Sequence, residues 1–91
     1  LVEETKVVEE ELSQRTLRVE GQILDNLGVP LPGVSIIEKG TTNGVASDFD
    51  GNFQLNVQEG AILVFTSIVF LGKELPAHAS FMNVTLKEST S

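Results

Sequence analysis

The sequence contains no cysteine, no tryptophan and no tyrosine, and only one methionine, one histidine and six basic residues among its 91 positions. Each shortage removes a class of chemistry. Without cysteine there is neither a disulfide framework nor a thiolate metal site. His78, in the polar segment Pro76-Ala-His-Ala-Ser80, supplies by itself neither a metal centre nor a triad. Ser67, Ser80 and the threonines have no base beside them, so no residue is assigned as catalytic, cofactor-binding or metal-ligating, and no cofactor is expected. Six bases stand against thirteen acids, a net charge of −7. Phosphate binding rests on a basic surface, so this balance excludes a nucleic-acid partner and equally an anionic membrane surface. No apolar run approaches the ~20 residues of a membrane-spanning helix, and no direct membrane insertion is expected. The missing Trp and Tyr weaken a glycan-binding face, and most of the five Phe fall at positions with core parity.

What remains is a small β domain. A chain of this length suits one domain that buries about two-thirds of its unfolded surface, which leaves little for a deep cleft. It does not begin with Met and opens on no signal-peptide pattern, which reads as a processed or excised piece. Residues 1–15 stand apart: five Glu, two bases and no Gly or Pro, with an apolar stripe (Leu1, Val8, Leu12) too thin to bury a helix. They read as an acidic leader or linker, weakly helical or disordered. The domain proper is expected over 16–88, with a polar tail at 89–91.

From Thr16 the period changes to two. Leu17, Val19, Gly21 and Ile23 alternate with Arg18, Glu20 and Gln22, the pattern of a strand wet on one face. Asp25-Asn-Leu-Gly28 is a turn. Pro30 and Pro32 remove two donors and make Val29–Gly33 an extended connector between sheets. Val34–Glu38 is the second strand. Val45–Asp48 and Asn52–Val57 are expected to form a hairpin about Asp50-Gly51, because Gly accepts positive φ and Asp tolerates it. Ala61–Ser67 is a continuous apolar run of central-strand length. Ile68–Pro76 reads as a further strand bent near Gly72, and Met82, Val84 and Leu86 give the last. About seven strands with no helical period require a two-sheet antiparallel sandwich, since one small sheet must bury its apolar face against another.

Several motifs have sharper readings. Asp48-x-Asp50-Gly51-Asn52 resembles the opening of an EF-hand loop, but Phe53 stands where the sixth-place Gly is needed; the turn is expected instead, its Asp side chains accepting backbone N–H groups. Gly40-Thr-Thr-Asn-Gly44 lacks the Lys and helix of a phosphate cradle. Asn83-Val-Thr85 fits a glycosylation acceptor but sits mid-strand. In Ile68-Val-Phe-Leu71, Ile68 and Phe70 are expected in the core with Val69 filling a gap; the sharper alternative leaves Val69 and Leu71 as an apolar strip on the outer face, available to a partner.

The ordered series Gly21, Pro32-Gly33-Val34, Lys39–Gly44, Asp48-x-Asp50-Gly51-Asn52-Phe53 and Val57-x-Glu59-Gly60 resembles the carboxypeptidase-D regulatory-like domain, over about Leu17 to Leu86. Its spelling is similar to the copies at the N-terminus of SusC-type TonB-dependent outer-membrane transporters. The resemblance implies a transthyretin-like or immunoglobulin-like Greek-key sandwich, without catalytic activity, on the periplasmic side of the outer membrane. There it would serve as a structural and interaction module of a nutrient (glycan) importer, ahead of the TonB-contacting segment, plug and barrel. Expected partners are the plug and barrel of its own parent chain and periplasmic or neighbouring outer-membrane proteins, met through edge strands. The alternatives are a binding or adhesion module of a cell-surface or secreted protein, and a regulatory domain fused to a carboxypeptidase. The purine-pathway hydrolase that shares the transthyretin-like fold needs several His and Arg residues that this chain lacks.

Overall fold

The computed structural model describes residues 15–70 and 72–88. The acidic leader, Leu71 and the polar tail beyond Glu88 lie outside them. Among the described residues seven strands form: β1 Thr16–Asp25, β2 Ser35–Glu38, β3 Gly44–Ala46, β4 Asn52–Gln58, β5 Ile62–Thr66, β6 Lys73–Pro76 and β7 Phe81–Leu86. They make two sheets, one ordered β4-β1-β7 and the other β3-β2-β5-β6. The molecule is an all-β sandwich. The neighbours β1–β4 and β2–β5 are not consecutive in the chain, which gives it its Greek-key character.

The two-residue period does the work in β1 and β4. Val19, Gly21 and Ile23 face Phe53, Leu55 and Val57 on the inner surface of the first sheet, and the residues between them face water. The second sheet contributes Ile36, Leu63 and Phe65, with Val84 and Leu86 of β7 completing the core from the first. The Phe53 and Phe65 rings meet edge to face across the sheets, centroids 5.8 Å apart at 74°, a favoured aromatic geometry. β5 is an internal strand, as its apolar run requires. Its outer-facing Ile62 and Val64 remain half-buried.

Three expectations are corrected. First, the sandwich is not wholly antiparallel, because β1 and β7 pair in parallel. Parity explains this: every connection reverses the chain, so two odd-numbered strands that become neighbours must run the same way. Second, β3 and β4 are not a hairpin, since β3 pairs only with β2 and β4 only with β1. The turn between them crosses from one sheet to the other. Ser47, buried at the end of β3, holds β3 to the Pro30–Val34 connector: its Oγ donates to Leu31 O (2.7 Å) and accepts from Val34 N (2.9 Å). Third, among the described residues of the Ile68–Pro76 segment only Lys73–Pro76 is a strand. Ile68 and Val69 pair with nothing, and Phe70 makes a single bridge to Glu88. The strand signal there came from apolar content alone, and no neighbouring edge receives it.

The connector Val29–Val34, with Pro30 and Pro32, crosses between the sheets, after folding back on β1 with Leu31 N bonded to Ile23 O at 2.9 Å.

A candidate interaction surface

The residue types that would carry catalysis stay apart. His78 is exposed on the β6–β7 crossover and Asn83 is exposed on β7. Among the described residues no three His, Cys, Asp or Glu side chains gather around a common point. Asp48 spends its Oδ1 on its own turn, accepting from the N–H groups of Asp50 and Asn52, both at 2.9 Å. The turn reading of that motif therefore stands. Gly51 takes φ +76° there, and a Cβ on it would strike Ile23 O, so the position requires glycine.

The sheet edges, expected to make contacts, are short or covered. On β4 the groups facing away from β1 are those of alternate residues. Asn52 N is taken by Asp48, Asn56 O accepts from Asn43 Nδ2 (2.7 Å), and Gln58 N donates to Glu38 Oε2 (3.3 Å). Asn43 also donates to Glu38 Oε1, so the β2–β3 loop clasps the far half of β4. An open cleft of about 550 Å³ remains beside Gln54, lined by Val45, Ala46, Asn52, Phe53 and Gln54 among others. β3 has three residues and β6 four, ending in Pro76. On β7, Lys73 Nζ donates to Thr85 O at 3.1 Å. These are the devices by which β proteins discourage strand addition.

The outer face of the β4-β1-β7 sheet is polar and rich in amides: Gln22, Asn52, Gln54, Asn56, Gln58 and Asn83. Phe81 is its one exposed aromatic. The outer face of the other sheet carries Ile37 beside Val64. The strongest apolar exposure lies elsewhere, at the end where β1 finishes. Leu27 and Val29 project from the turn after β1, Phe49 from the tip of the β3–β4 turn, and Ile68 and Val69 from the segment after β5. Phe49 is 91% exposed and Ile68 fully so. Ile68 is thus not core. Phe70 is partly buried against the core and Val69 is half exposed; Leu71, the other residue of the expected strip, lies outside the described residues. Of the five Phe, only Phe53 and Phe65 are buried. Phe49 was legible from its place in a turn and Phe81 from its parity opposite Met82, Val84 and Leu86.

The geometry defines a small sandwich with a polar broad face, guarded edges and one apolar loop end. The profile of the CarboxypepD_reg-like domain matches residues 19–90. The chain belongs to that family. It is 45% identical over 74 residues, 81% of its length, to the TonB-dependent receptor SusC of Bacteroides thetaiotaomicron. It is 38% identical over 71 residues, 76% of its length, to a TonB-dependent receptor of Formosa agariphila. The chain spans 7% of the length of each of these relatives. Among solved structures, a chain in the type II cohesin–X-dockerin complex of Acetivibrio cellulolyticus superposes with a TM-score of 0.57 and 18% identity. That match covers 76% of this chain and 51% of the other, a likeness of fold alone.

Proposed function

We propose that this domain is a non-catalytic accessory module of a TonB-dependent outer-membrane importer, lying on the periplasmic side of the membrane. The single observation that carries the reading is the 45% identity to a segment of SusC over 81% of the chain. The surface supports it. Polar side chains capable of acid–base work are dispersed and solvated, whereas most of the exposed large apolar residues are gathered at one end, which suits a body whose role is contact rather than chemistry. The imported nutrient is taken to be a glycan or a glycan fragment, in keeping with the SusC-type resemblance. The amide-rich outer face and the acidic charge keep the domain soluble beside the membrane.

The test is topological. An epitope placed after Gly40, in the exposed loop between β2 and β3, is followed in cells expressing the full parent protein. The epitope should co-fractionate with outer membranes, resist protease in intact cells and be cleaved once the outer membrane is permeabilised. Cleavage in intact cells, or recovery of the parent in the medium, would instead favour a surface or secreted module.

A further inference from the structure

We infer that the loop end formed by Phe49, Ile68, Leu27, Val29 and Val69 docks this domain onto the remainder of its own parent polypeptide, an inference that rests on the accessory-module reading above.

The distribution of exposed apolar residues carries the first part of the argument. Among the described residues seven large hydrophobic side chains are exposed, and five of them are these. The other two, Ile37 and Phe81, stand on opposite sheets. The loops at the far end, 39–43, 58–61 and 77–80, expose Lys39, Thr41, Thr42, Glu59 and His78 and no large apolar side chain. The sandwich has one sticky end and one wet end. The connections place the apolar residues on one side of the molecule: Ile23 N donates to Gly51 O, Asp25 N to Val29 O, and β5 reaches this end with Thr66 opposite Ser35.

Two of the three tips, those carrying Leu27 with Val29 and Phe49, are also held by their own turns. Asp25 Oδ1 accepts from Leu27 N (2.8 Å) and Val29 N (2.9 Å), and Gly28 N donates to Asp25 O. Asp48 does the same for the turn that carries Phe49, with Gly51 N donating to Asp48 O. Backbone held in this way is not ordered anew on binding, so the apolar area buried is not offset by loop entropy. Aromatic side chains, Phe among them, are enriched at protein interfaces, which suits Phe49 to such a contact.

The occupant follows from where the chain leaves the body. β7 ends with Leu86 beside Asp25, and Glu88 bridges Phe70. The polypeptide exits at the apolar end. Anything that follows is tethered within a few residues of Phe49 and Ile68, at an effective concentration that lets a modest patch bind. In the relatives the matched segment is 7% of the chain, so the rest of the parent is the largest surface within reach. A partner in trans would gain nothing from this coincidence of patch and exit.

The experiment uses the full parent protein in cells, with a photo-crosslinking amino acid replacing Phe49 or Ile68, and Asn83 on the polar face as the control position. Irradiation should give an intramolecular product from positions 49 and 68, with linked peptides joining them to residues C-terminal of the domain, and none from position 83. Adding Leu27→Ser and Val29→Ser to the position-68 variant should diminish that product. Links from 49 and 68 only to another copy or another protein, or equal labelling from all three positions, would overturn the inference while leaving the accessory-module reading intact. A parent that does not fractionate with the outer membrane would overturn both.

Discussion

The ring of Phe53 occupies the space in which a side chain on Gly21 would stand: a Cβ there would lie 2.7 Å from Phe53 Cε1 and 2.8 Å from Cζ, and would strike Met82 O as well. Gly21 is paired with Phe53 in the β1–β4 ladder and with Met82 in the β1–β7 ladder. The missing side chain lets the ring lie down over the sheet and reach Phe65. Gly21→Ala should therefore destabilise the domain by about 1–3 kcal/mol, the usual range for overpacking a filled core, read as a lower urea midpoint at unchanged slope. Adding Phe53→Leu should recover only part of the loss, because the Met82 carbonyl remains. An unchanged midpoint for Gly21→Ala would contradict the packing described.

Ser47 is the buried polar link between β3 and the connector. Ser47→Ala leaves Val34 N and Leu31 O without the Oγ, and a buried unsatisfied group costs about 1–3 kcal/mol. The half-buried Ser35, one residue after Val34, makes no side-chain hydrogen bond among the described residues, so Ser35→Ala should stay within about 0.5 kcal/mol of the parent sequence. Chemical denaturation of the two variants side by side checks the contrast.

Asp48 Oδ1 ties its own turn together by accepting from Asp50 N and Asn52 N. Asp48→Asn retains an acceptor and should keep most of the stability, whereas Asp48→Ala should lose about 1 kcal/mol, the typical net worth of such bonds. Millimolar calcium should leave the melting temperature unchanged, since only a ligand that binds the folded state raises it. A calcium-dependent rise that disappears in Asp48→Asn would restore the ion-binding reading.

Asn43 guards an edge. Asn43→Ala removes the donor to Asn56 O and loosens Glu38 from Gln58 N, uncovering half of β4. The predicted outcome is a small loss of stability, about 0.5–1.5 kcal/mol, together with concentration-dependent self-association measured by light scattering. A variant that remains monomeric at high concentration would show that the clasp is not what keeps the edge unpaired.

The strands of this fold were more legible than their partners. Alternation in Leu17–Ile23 and Phe53–Val57 identifies β1 and β4 without ambiguity, because each buries one face only. The Asp50-Gly51 signal records that the chain turns, but a tight turn is equally at home between paired strands and between sheets. Only the buried Ser47 contact decides between them. The parallel β1–β7 pair depends on which odd strands become neighbours, a long-range outcome with no local signature. The apolar content of Ile68-Val69-Phe70 suits a strand, but Ile68 and Val69 meet no ladder partner, and both stand exposed at the apolar end. The family series predicted the sandwich well, since Gly33, Gly40, Gly51 and Gly60 all take positive φ in the turns between strands, while Gly21 marks close packing inside β1. Nothing in that series revealed that the apolar tips gather where the chain departs.

The most direct test of the account compares backbone hydrogen exchange in the 91-residue chain with that of the same residues inside the full parent protein. The account predicts added protection in the parent confined to residues 25–31, 47–51 and 66–70, with the β2–β3 loop and the polar outer face unchanged. Added protection along β4 or β7 instead, or none anywhere, would contradict it.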